Sequence, residues 1–174
     1  LGSVFVKNYF ESQTYILGKA MLAAVVKQGV FAREADGSVW VDLTADGLDK
    51  KILQRSDGTS VYITQDLGLA MERQKKFKFD SLAYVVGHEQ EYHFKVLFLI
   101  LKKLGYPWAD KLRHLSYGLV FLPEGKMKSR EGKVVDADEI MAKVINLAEE
   151  QVKKRLPAIS RKESARRARA IGLG

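Results

Sequence analysis

The chain has 174 residues, 47% of them hydrophobic and 10% aromatic, a composition that excludes an intrinsically disordered protein. It contains no cysteine, which excludes disulfides, thiolate metal sites and a cysteine nucleophile, and this is compatible with the reducing cytoplasm where we expect the protein to act. There is no apolar run of about 18 residues and no basic leader before an apolar stretch, so neither a membrane span nor a signal peptide is predicted.

The net charge of +8 is concentrated at the end of the sequence. Residues 151–174 hold eight Lys and Arg and one acid (8 − 1 = +7), whereas residues 1–150 hold 21 bases and 20 acids (21 − 20 = +1). This basic tail predicts contact with a polyanion such as nucleic acid. On charge alone, a solvated helix face is an equally good interpretation.

The first 50 residues predict a small α+β piece. The stretch YILGKAMLAAVVKQGVF has the apolar periodicity of a helix that ends near Gly29. VFAREADGSVWVDL predicts a β-hairpin with ADG as its turn, and TADGLDKKIL is polar and typical of a turn.

From about residue 57 onward, strands and helices are predicted to alternate. The β-rich runs are TSVYITQD, SLAYVVGH and HLSYGLVFL; the helical stretches after the first two are LGLAMERQKKFKF and EQEYHFKVLFLILKKLGY. A basic loop and a helix from about Asp136 to Leu156 follow the third run. This alternation predicts an α/β fold with a parallel, doubly wound sheet and helices on both faces. Boundaries are expected near residues 50–57 and near Pro157.

Ligands of such sheets bind at the carboxyl ends of the strands. In the first candidate stretch, Tyr62 and Thr64 are predicted to share one face of a strand, and Asp66 to stand where the strand becomes a helix. An aspartate there is a natural helix N-cap. The alternative is a carboxylate directed into a cleft, where a planar guanidinium would suit it well.

The second candidate stretch is YVVGHEQEYHF. Gly87 would let a ligand approach the backbone, and Glu89, Gln90 and His93 would lie in the first turn and a half of a helix. The free amides and the dipole of a helix N-terminus suit a phosphate or a ribose. Ordinary polar residues of a first turn, with a solvated histidine, are the alternative.

The third candidate is the loop between Gly125 and Gly132, where Lys126, Lys128 and Arg130 alternate with other residues. Such cations could neutralise a phosphoryl transition state, although a basic hairpin without function is an equal alternative. The sequence has no Walker A, H-E-x-x-H or G-x-S-x-G pattern. Its three histidines (His88, His93 and His114) are not at metal-ligand spacing, so no protein-bound transition metal is expected.

Taken together, the three stretches resemble the catalytic core of the arginyl-tRNA synthetases, class I aminoacyl-tRNA synthetases with a Rossmann-type fold. SDGTSVYITQD is similar to the family's Ser-Asp-Gly-Thr…Tyr-x-Thr-x-Asp segment, and VVGHEQEYHF to its Val-Val-Gly-x-x-Gln-x-x-His-Phe segment. KMKSREG resembles its form of the Lys-Met-Ser-Lys-Ser loop. The resemblance covers nearly the whole chain and is densest from Ser56 to Asp138.

The resemblance implies an enzyme that joins arginine to ATP, with Mg²⁺ accompanying the nucleotide, and transfers the arginyl group to tRNA(Arg). It implies that Asp66 binds the guanidinium and that Tyr62 and Gln90 complete the arginine pocket. Selectivity against lysine would follow, because an ammonium does not fill a bidentate site. The implied ATP-binding residues are Gly87, Glu89, His93, Val120, Lys126 and Met127. The implied catalytic cations are Lys126, Lys128 and Arg130.

Two departures from the family pattern affect these expectations. Ser129 stands where the signature loop has its second lysine, which leaves open which neighbouring cation follows the pyrophosphate. The His-x-Gly-His signature of the first Rossmann half does not occur in the 174 residues, so we expect an internal piece of a longer, monomeric enzyme that has negligible activity by itself. Its expected parts are a connective segment (1–50), the second Rossmann half (51–135) and the start of a helical stem toward the anticodon-binding domain (136–174).

Other function classes remain open from the sequence. A non-catalytic synthetase-like module could bind arginine or RNA without the first half of the fold. A class I enzyme for another amino acid is disfavoured by the combination of Tyr62, Asp66 and Gln90. A plain basic RNA-binding domain would account for the tail but not for the three stretches in one order.

Overall fold

The computed structural model describes residues 4–26, 29–119, 121–122, 125–126 and 135–174. The chain forms two compact units, Leu1–Leu119 and Val120–Gly174. The first contains α1 (Glu11–Val25), β1 (Ala32–Arg33), β2 (Val39–Val41), β3 (Lys51–Gln54), α2 (Tyr62–Phe77), β4 (Leu82–Gly87), α3 (Glu91–Lys103) and β5 (Leu112–Tyr117). The second contains β6 (Phe121–Leu122), β7 (Gly125–Lys126), α4 (Ala137–Arg155) and α5 (Arg161–Leu173).

The predicted hairpin is confirmed, and a third strand extends it into a sheet. β1 pairs antiparallel with β2, with Ala32 opposite Trp40, and β2 pairs antiparallel with β3. The stretch TADGLDKKIL, predicted as a turn, is a turn only in its first part. It contains a 3₁₀ turn at Thr44–Asp46, but β3 begins at Lys51 because Leu53 has a fully buried place against the other strands and helices.

The parallel part of the predicted sheet is formed by β4 and β5. The two strands pair in parallel along their whole length, from Leu82 opposite Leu112 to Gly87 opposite Tyr117. The helix α3 connects them, as a parallel pair requires a long crossover. Its residues Leu97, Ile100 and Leu101 are fully buried in the core. The α/β class with a parallel sheet and helices is therefore confirmed.

The prediction of a strand over TSVYITQD is wrong. Val61 is the last extended residue, and α2 begins at Tyr62. The β-branched residues of this stretch favour a strand locally. The helical spacing of the buried Ile63, Leu67 and Ala70 decides the outcome, because burial of one helix face outweighs local propensity. Consequently Tyr62 and Thr64 do not share a strand face, and Asp66 is not an N-cap.

The second unit consists of the β6–β7 hairpin and two helices. α4 confirms the helix predicted from about Asp136 to Leu156. α5 follows it after the turn that contains Pro157. The buried positions of these helices are held mainly by small residues: Ala148, Val152, Ser164 and Ala168. Among the residues that the structure describes, no helix combines the length and apolar character needed to cross a membrane.

Candidate functional site

The beginning of α2 places two of the predicted site residues on one face. Tyr62 and Asp66 are four residues apart, so they lie one helical turn from each other. Tyr62 is 73% exposed as a residue, and the Asp66 side chain is 40% exposed. Thr64 lies on another face, where it is fully buried and donates from Oγ1 to the carbonyl oxygen of Leu53 at 2.6 Å. Although this stretch is a helix and not the predicted strand, Tyr62 and the Asp66 carboxylate still lie side by side.

The Ser-Asp-Gly-Thr segment before α2 forms a turn. The Asp57 carboxylate accepts hydrogen bonds from the backbone N of Thr59 at 2.8 Å and from its Oγ1 at 2.7 Å. These bonds lower the pKa of Asp57 below its ordinary value. Gly58 has a φ of +82°, a conformation that favours glycine. The segment therefore directs the chain into α2, which gives the Ser-Asp-Gly-Thr part of the motif a structural role.

The carboxyl end of β4 carries the second group of predicted residues. Gly87 is the last residue of the strand, and a 3₁₀ turn at His88–Gln90 leads into α3. Glu89 and Gln90 are exposed in that turn, not within the α-helix as predicted. His93 lies in the first turn of α3 and is partly buried. The turn leaves polar side chains at the edge of the sheet where ligands of parallel sheets bind.

One hydrogen bond joins the first two stretches. His93 Nε2 lies 2.7 Å from Asp66 Oδ2, across 27 residues of sequence. An ionised carboxylate has no proton to give, so Nε2 carries the proton and donates it. The sequence predicted that both stretches lie at one edge of the sheet, but it assigned these two residues to different ligands.

A cleft of about 280 Å³ opens beside this hydrogen bond. It is lined by Lys51, Ile52, Val61, Tyr62, Ile63, Tyr92, His93 and Val96. Its lining is mostly apolar in surface, with two tyrosines, a histidine and a lysine as the residues that carry polar groups. The site residues Tyr62 and His93 thus face the same cavity, which can accept a small organic molecule with a polar end.

One wall of the cleft is fixed by residues that the sequence did not indicate. The Tyr92 hydroxyl donates to Asp49 Oδ2 at 2.6 Å, and Lys51 Nζ lies 4.6 Å from the centre of the Tyr92 ring. The hydrogen bond from Tyr92, followed by that from Lys51, lowers the pKa of Asp49. Tyr92 stands next to His93 in the second motif, but its contact with a residue 43 positions away has no signal in the sequence.

The partly buried Tyr84 of β4 lies within the electrostatic reach of Asp66. Burial raises the pKa of the Tyr84 phenol, the cationic Arg73 opposes this, and the charge of Asp66 adds to it. The Arg73 guanidinium carbon lies 5.6 Å from the centre of the Tyr84 ring and 5.3 Å from that of Tyr9. Arg73 is therefore held between two aromatic rings.

The basic loop is the part of the predicted site that the structure describes least. Phe121 and Leu122 pair antiparallel with Lys126 and Gly125, so Lys126 lies in the second strand of a short hairpin. Val120, Met127, Lys128 and Arg130 lie outside the described residues. The roles assigned to these residues stay predictions. Within the described ranges, no group of three His, Asp or Glu side chains is arranged to hold a metal ion.

Comparison with known families identifies the chain. The family model of the class I (R) tRNA synthetases, catalytic domain, matches residues 8–174. The chain belongs to this family. Membership of the class I tRNA synthetase (R) catalytic domain family accounts for the order of the three candidate stretches along the chain. It also accounts for the parallel strands, one of which carries the second stretch.

Curated relatives of this class I synthetase domain are arginine–tRNA ligases. The chain is 54% identical over 177 residues to the one from Flavobacterium psychrophilum, covering 100% of the chain and 30% of that protein. It is 60% identical over 153 residues to the one from Treponema denticola, covering 88% of the chain and 25% of that protein. The chain therefore spans less than a third of the length of these relatives.

Solved structures agree with the fold. The arginyl-tRNA synthetase of Thermus thermophilus matches with a TM-score of 0.73 at 21% identity, over 94% of this chain and 34% of that one. That of Plasmodium falciparum matches with a TM-score of 0.69 at 16% identity, over 95% and 28%. At these identities, the likeness shows a shared fold and no more.

Proposed function

We propose that the chain is the second half of the catalytic domain of an arginine–tRNA ligase. The observation that carries this proposal is the arrangement of Tyr62 and Asp66 at the start of α2, beside the carboxyl end of β4. A half-exposed carboxylate next to an exposed aromatic ring suits a guanidinium, which binds a carboxylate with paired hydrogen bonds and stacks on aromatic faces. The names of the relatives support the same substrate.

In this proposal Asp66 binds the arginine guanidinium, and Tyr62 and Gln90 line the pocket. Lysine is rejected because its ammonium is a compact point charge that makes one hydrogen bond where the guanidinium makes two. The pairing site is then left partly unsatisfied, and unsatisfied polar groups are what give such pockets their discrimination.

ATP would bind at the carboxyl end of β4, near Gly87 and Glu89, with Mg²⁺ accompanying the nucleotide. The arginine carboxylate attacks the α-phosphorus, a P–O bond forms, and the bond to pyrophosphate breaks. Lys126, with Lys128 and Arg130 near it in sequence, would balance the negative charge that develops in this step. A terminal hydroxyl of tRNA(Arg) then attacks the arginyl carbonyl and releases AMP.

The remaining parts of the chain would serve the transfer step. Residues 1–50 would connect the Rossmann halves, 51–135 would form the second half, and 136–174 would begin a helical stem toward the anticodon-binding domain. The basic α5 would face the tRNA backbone, where lysine and arginine gain affinity by releasing counterions. We expect a monomeric enzyme in the cytoplasm.

Calorimetric titration of the full-length protein tests the arginine pocket. We expect arginine to bind and lysine to bind at least about a hundredfold more weakly. Asp66→Ala should weaken arginine binding by roughly a hundredfold, because it removes a hydrogen-bonded charge partner. Asp80→Ala, which removes an exposed aspartate just after α2, is the matched control and should bind normally. Unchanged arginine affinity in Asp66→Ala would overturn the proposed pocket.

A further inference from the structure

We propose that His93 is a positioning residue for arginine recognition, acting through the Asp66 carboxylate. By donating from Nε2 to Oδ2, it fixes the rotation of the carboxylate and leaves Oδ1 free to meet a guanidinium. This inference rests on the proposed function. It moves His93 from the ATP side, where the resemblance placed it, to the arginine side.

The chemistry of the pair supports an orienting role. A carboxylate offers about four acceptor positions on its two oxygens, so one bond from an imidazole N–H leaves room for a bidentate partner. Among the described residues no lysine or arginine forms an ion pair with Asp66, so this part of the chain supplies an orienting group without a competing cation.

Both ends of the hydrogen bond stand on fixed elements. Asp66 lies on α2, whose first turn is tied to β3 by the buried hydrogen bond of Thr64. His93 lies in the first turn of α3, followed directly by the buried Phe94, and their rings meet edge to face at 5.7 Å. Groups held by packed helices can define a geometry to the fraction of an ångström that recognition requires.

Other groups near the pair do not replace His93. The cleft beside it contains Lys51, but that cation lies over the Tyr92 ring and near Asp49. Arg73 is held between the rings of Tyr9 and Tyr84. Lys51 and Arg73 thus have their own partners, and the imidazole of His93 donates the hydrogen bond to Asp66 that the described residues show.

The test compares three substitutions of His93 in the full-length enzyme, assayed by charging of tRNA(Arg). His93→Gln places an amide donor near the position of Nε2, whereas His93→Asn places it near Nδ1, out of reach of Asp66. His93→Phe keeps a ring against Phe94 but has no donor. We expect His93→Phe and His93→Asn to raise KM for arginine by roughly tenfold, since a hydrogen bond to a charged group is lost.

The same variants separate orientation from other roles. KM for ATP should stay within about twofold in all three, and His93→Gln should keep KM for arginine within about threefold of wild type. In an Asp66→Asn background, His93→Phe should add less than about threefold, because residues that act through one another are not additive. If His93→Phe does not fold, the Gln and Asn pair carries the comparison, with thermal unfolding as the check.

The outcomes distinguish the inference from the function on which it rests. Equal arginine KM values for the Gln and Asn variants, or a rise confined to KM for ATP, would overturn the positioning role while leaving the ligase intact. A wild-type protein that charges no arginine would overturn the proposed function and the inference with it. A rise in KM for arginine in the Phe and Asn variants that is absent from the Gln variant supports both the function and the positioning role.

Discussion

Two helix pairs of this chain come close through glycine, but at different places along the helices. In the first unit, Gly18 and Gly68 lie near the middle of α1 and α2, and a Cβ on Gly68 would stand 2.5 Å from the carbonyl carbon of Leu17. In the second unit, Gly172 lies at the end of α5, and its Cβ would stand 2.9 Å from the Cα of Ile145.

This difference indicates which structural role each helix–helix contact has. The α1–α2 contact has backbone against backbone at mid-helix, so neither helix can shift without opening the core. It therefore fixes α2, the helix that carries Tyr62 and Asp66. In the α4–α5 pair, the close glycine approach is at the end of α5, while small residues along both helices form the interface and charged residues lie on the outside. This contact needs only to hold two helices together and present a basic surface.

The largest effect should come from breaking the central contact. Gly68→Ala would place a Cβ within 2.7 Å of three backbone atoms of α1, so the helices must separate. Overpacking costs about 1–3 kcal/mol; an overlap with backbone atoms, which cannot rotate away, lies at the upper end of this range, and the helix propensity of alanine returns about 1 kcal/mol at most. We expect a net loss of about 2 kcal/mol in the opening free energy of α1 and α2, measured by hydrogen exchange.

Gly118→Ala is the control for this substitution. Among the residues that the structure describes, a Cβ on Gly118 would meet no atom within 4 Å, and its φ is not positive, so no loss of protection is expected in α1 or α2. If Gly68→Ala proved as stable as this control, the two helices would not be in the close contact described.

A smaller effect is expected at the bond that ties α2 to β3. Thr64→Val keeps the shape of the side chain but removes the hydroxyl that donates to Leu53. The carbonyl still accepts from the backbone N of Val61 at 3.3 Å, so we expect a loss of about 1 kcal/mol in protection of the first turn of α2. Thr44→Val removes an exposed hydroxyl bonded to Asp42 and should cost less than about 0.5 kcal/mol. Equal losses would show that burial does not strengthen the Thr64 bond.

The sequence predicted those parts of the fold that depend on local pattern. β4, α3, β5 and α4 follow from apolar runs and helical periodicity. The start of α2 was missed because Val61 and Ile63 favour a strand locally, while the contacts that override them come from β3 and α1. These contacts join segments that are distant in the sequence, so the local residue pattern could not show them.

The candidate site divides in the same way. Tyr62, Asp66 and Gln90 could be proposed from motifs, because a resemblance carries residue types at fixed spacing. The bond from His93 to Asp66 and that from Tyr92 to Asp49 join residues 27 and 43 positions apart. Such pairs depend on how helices and strands are placed together, which a single sequence does not encode in any local pattern.

A still smaller effect is expected at the helix-end contact. Gly172→Ala meets backbone atoms of α4 at 2.9–3.1 Å, a few tenths of an ångström too close. The last turn of α5 can yield by that amount, and alanine gains helix propensity, so the net loss should be below about 1 kcal/mol. Hydrogen exchange of the α5 amides measures it. A loss as large as that of Gly68→Ala would remove the distinction between the two contacts.

The smallest effect concerns the surface of the second unit. Ser160 and Glu163 have the spacing of a capping box, and Ser160 Oγ accepts from the Glu163 backbone N at 3.3 Å. The Glu163 carboxylate binds Arg166 at 2.7 and 2.8 Å and Arg167 at 2.8 Å. Hydrogen bonds from Arg166 and then Arg167 lower the pKa of Glu163 from 4.5 to about 2.

Because the folded pKa is lowered, the stabilisation by Glu163 is complete above the ordinary pKa of 4.5 and is lost as the pH falls toward 2. We expect α5 to lose hydrogen-exchange protection over this range, after correction for intrinsic exchange rates, and less so in high salt. Glu163→Gln should remove the pH-dependent loss of α5 protection, whereas the control Glu150→Gln on α4 should retain it. Parallel losses in wild type and Glu163→Gln would show that the arginine pair contributes nothing to α5, since exposed ion pairs in water are often too weak to matter.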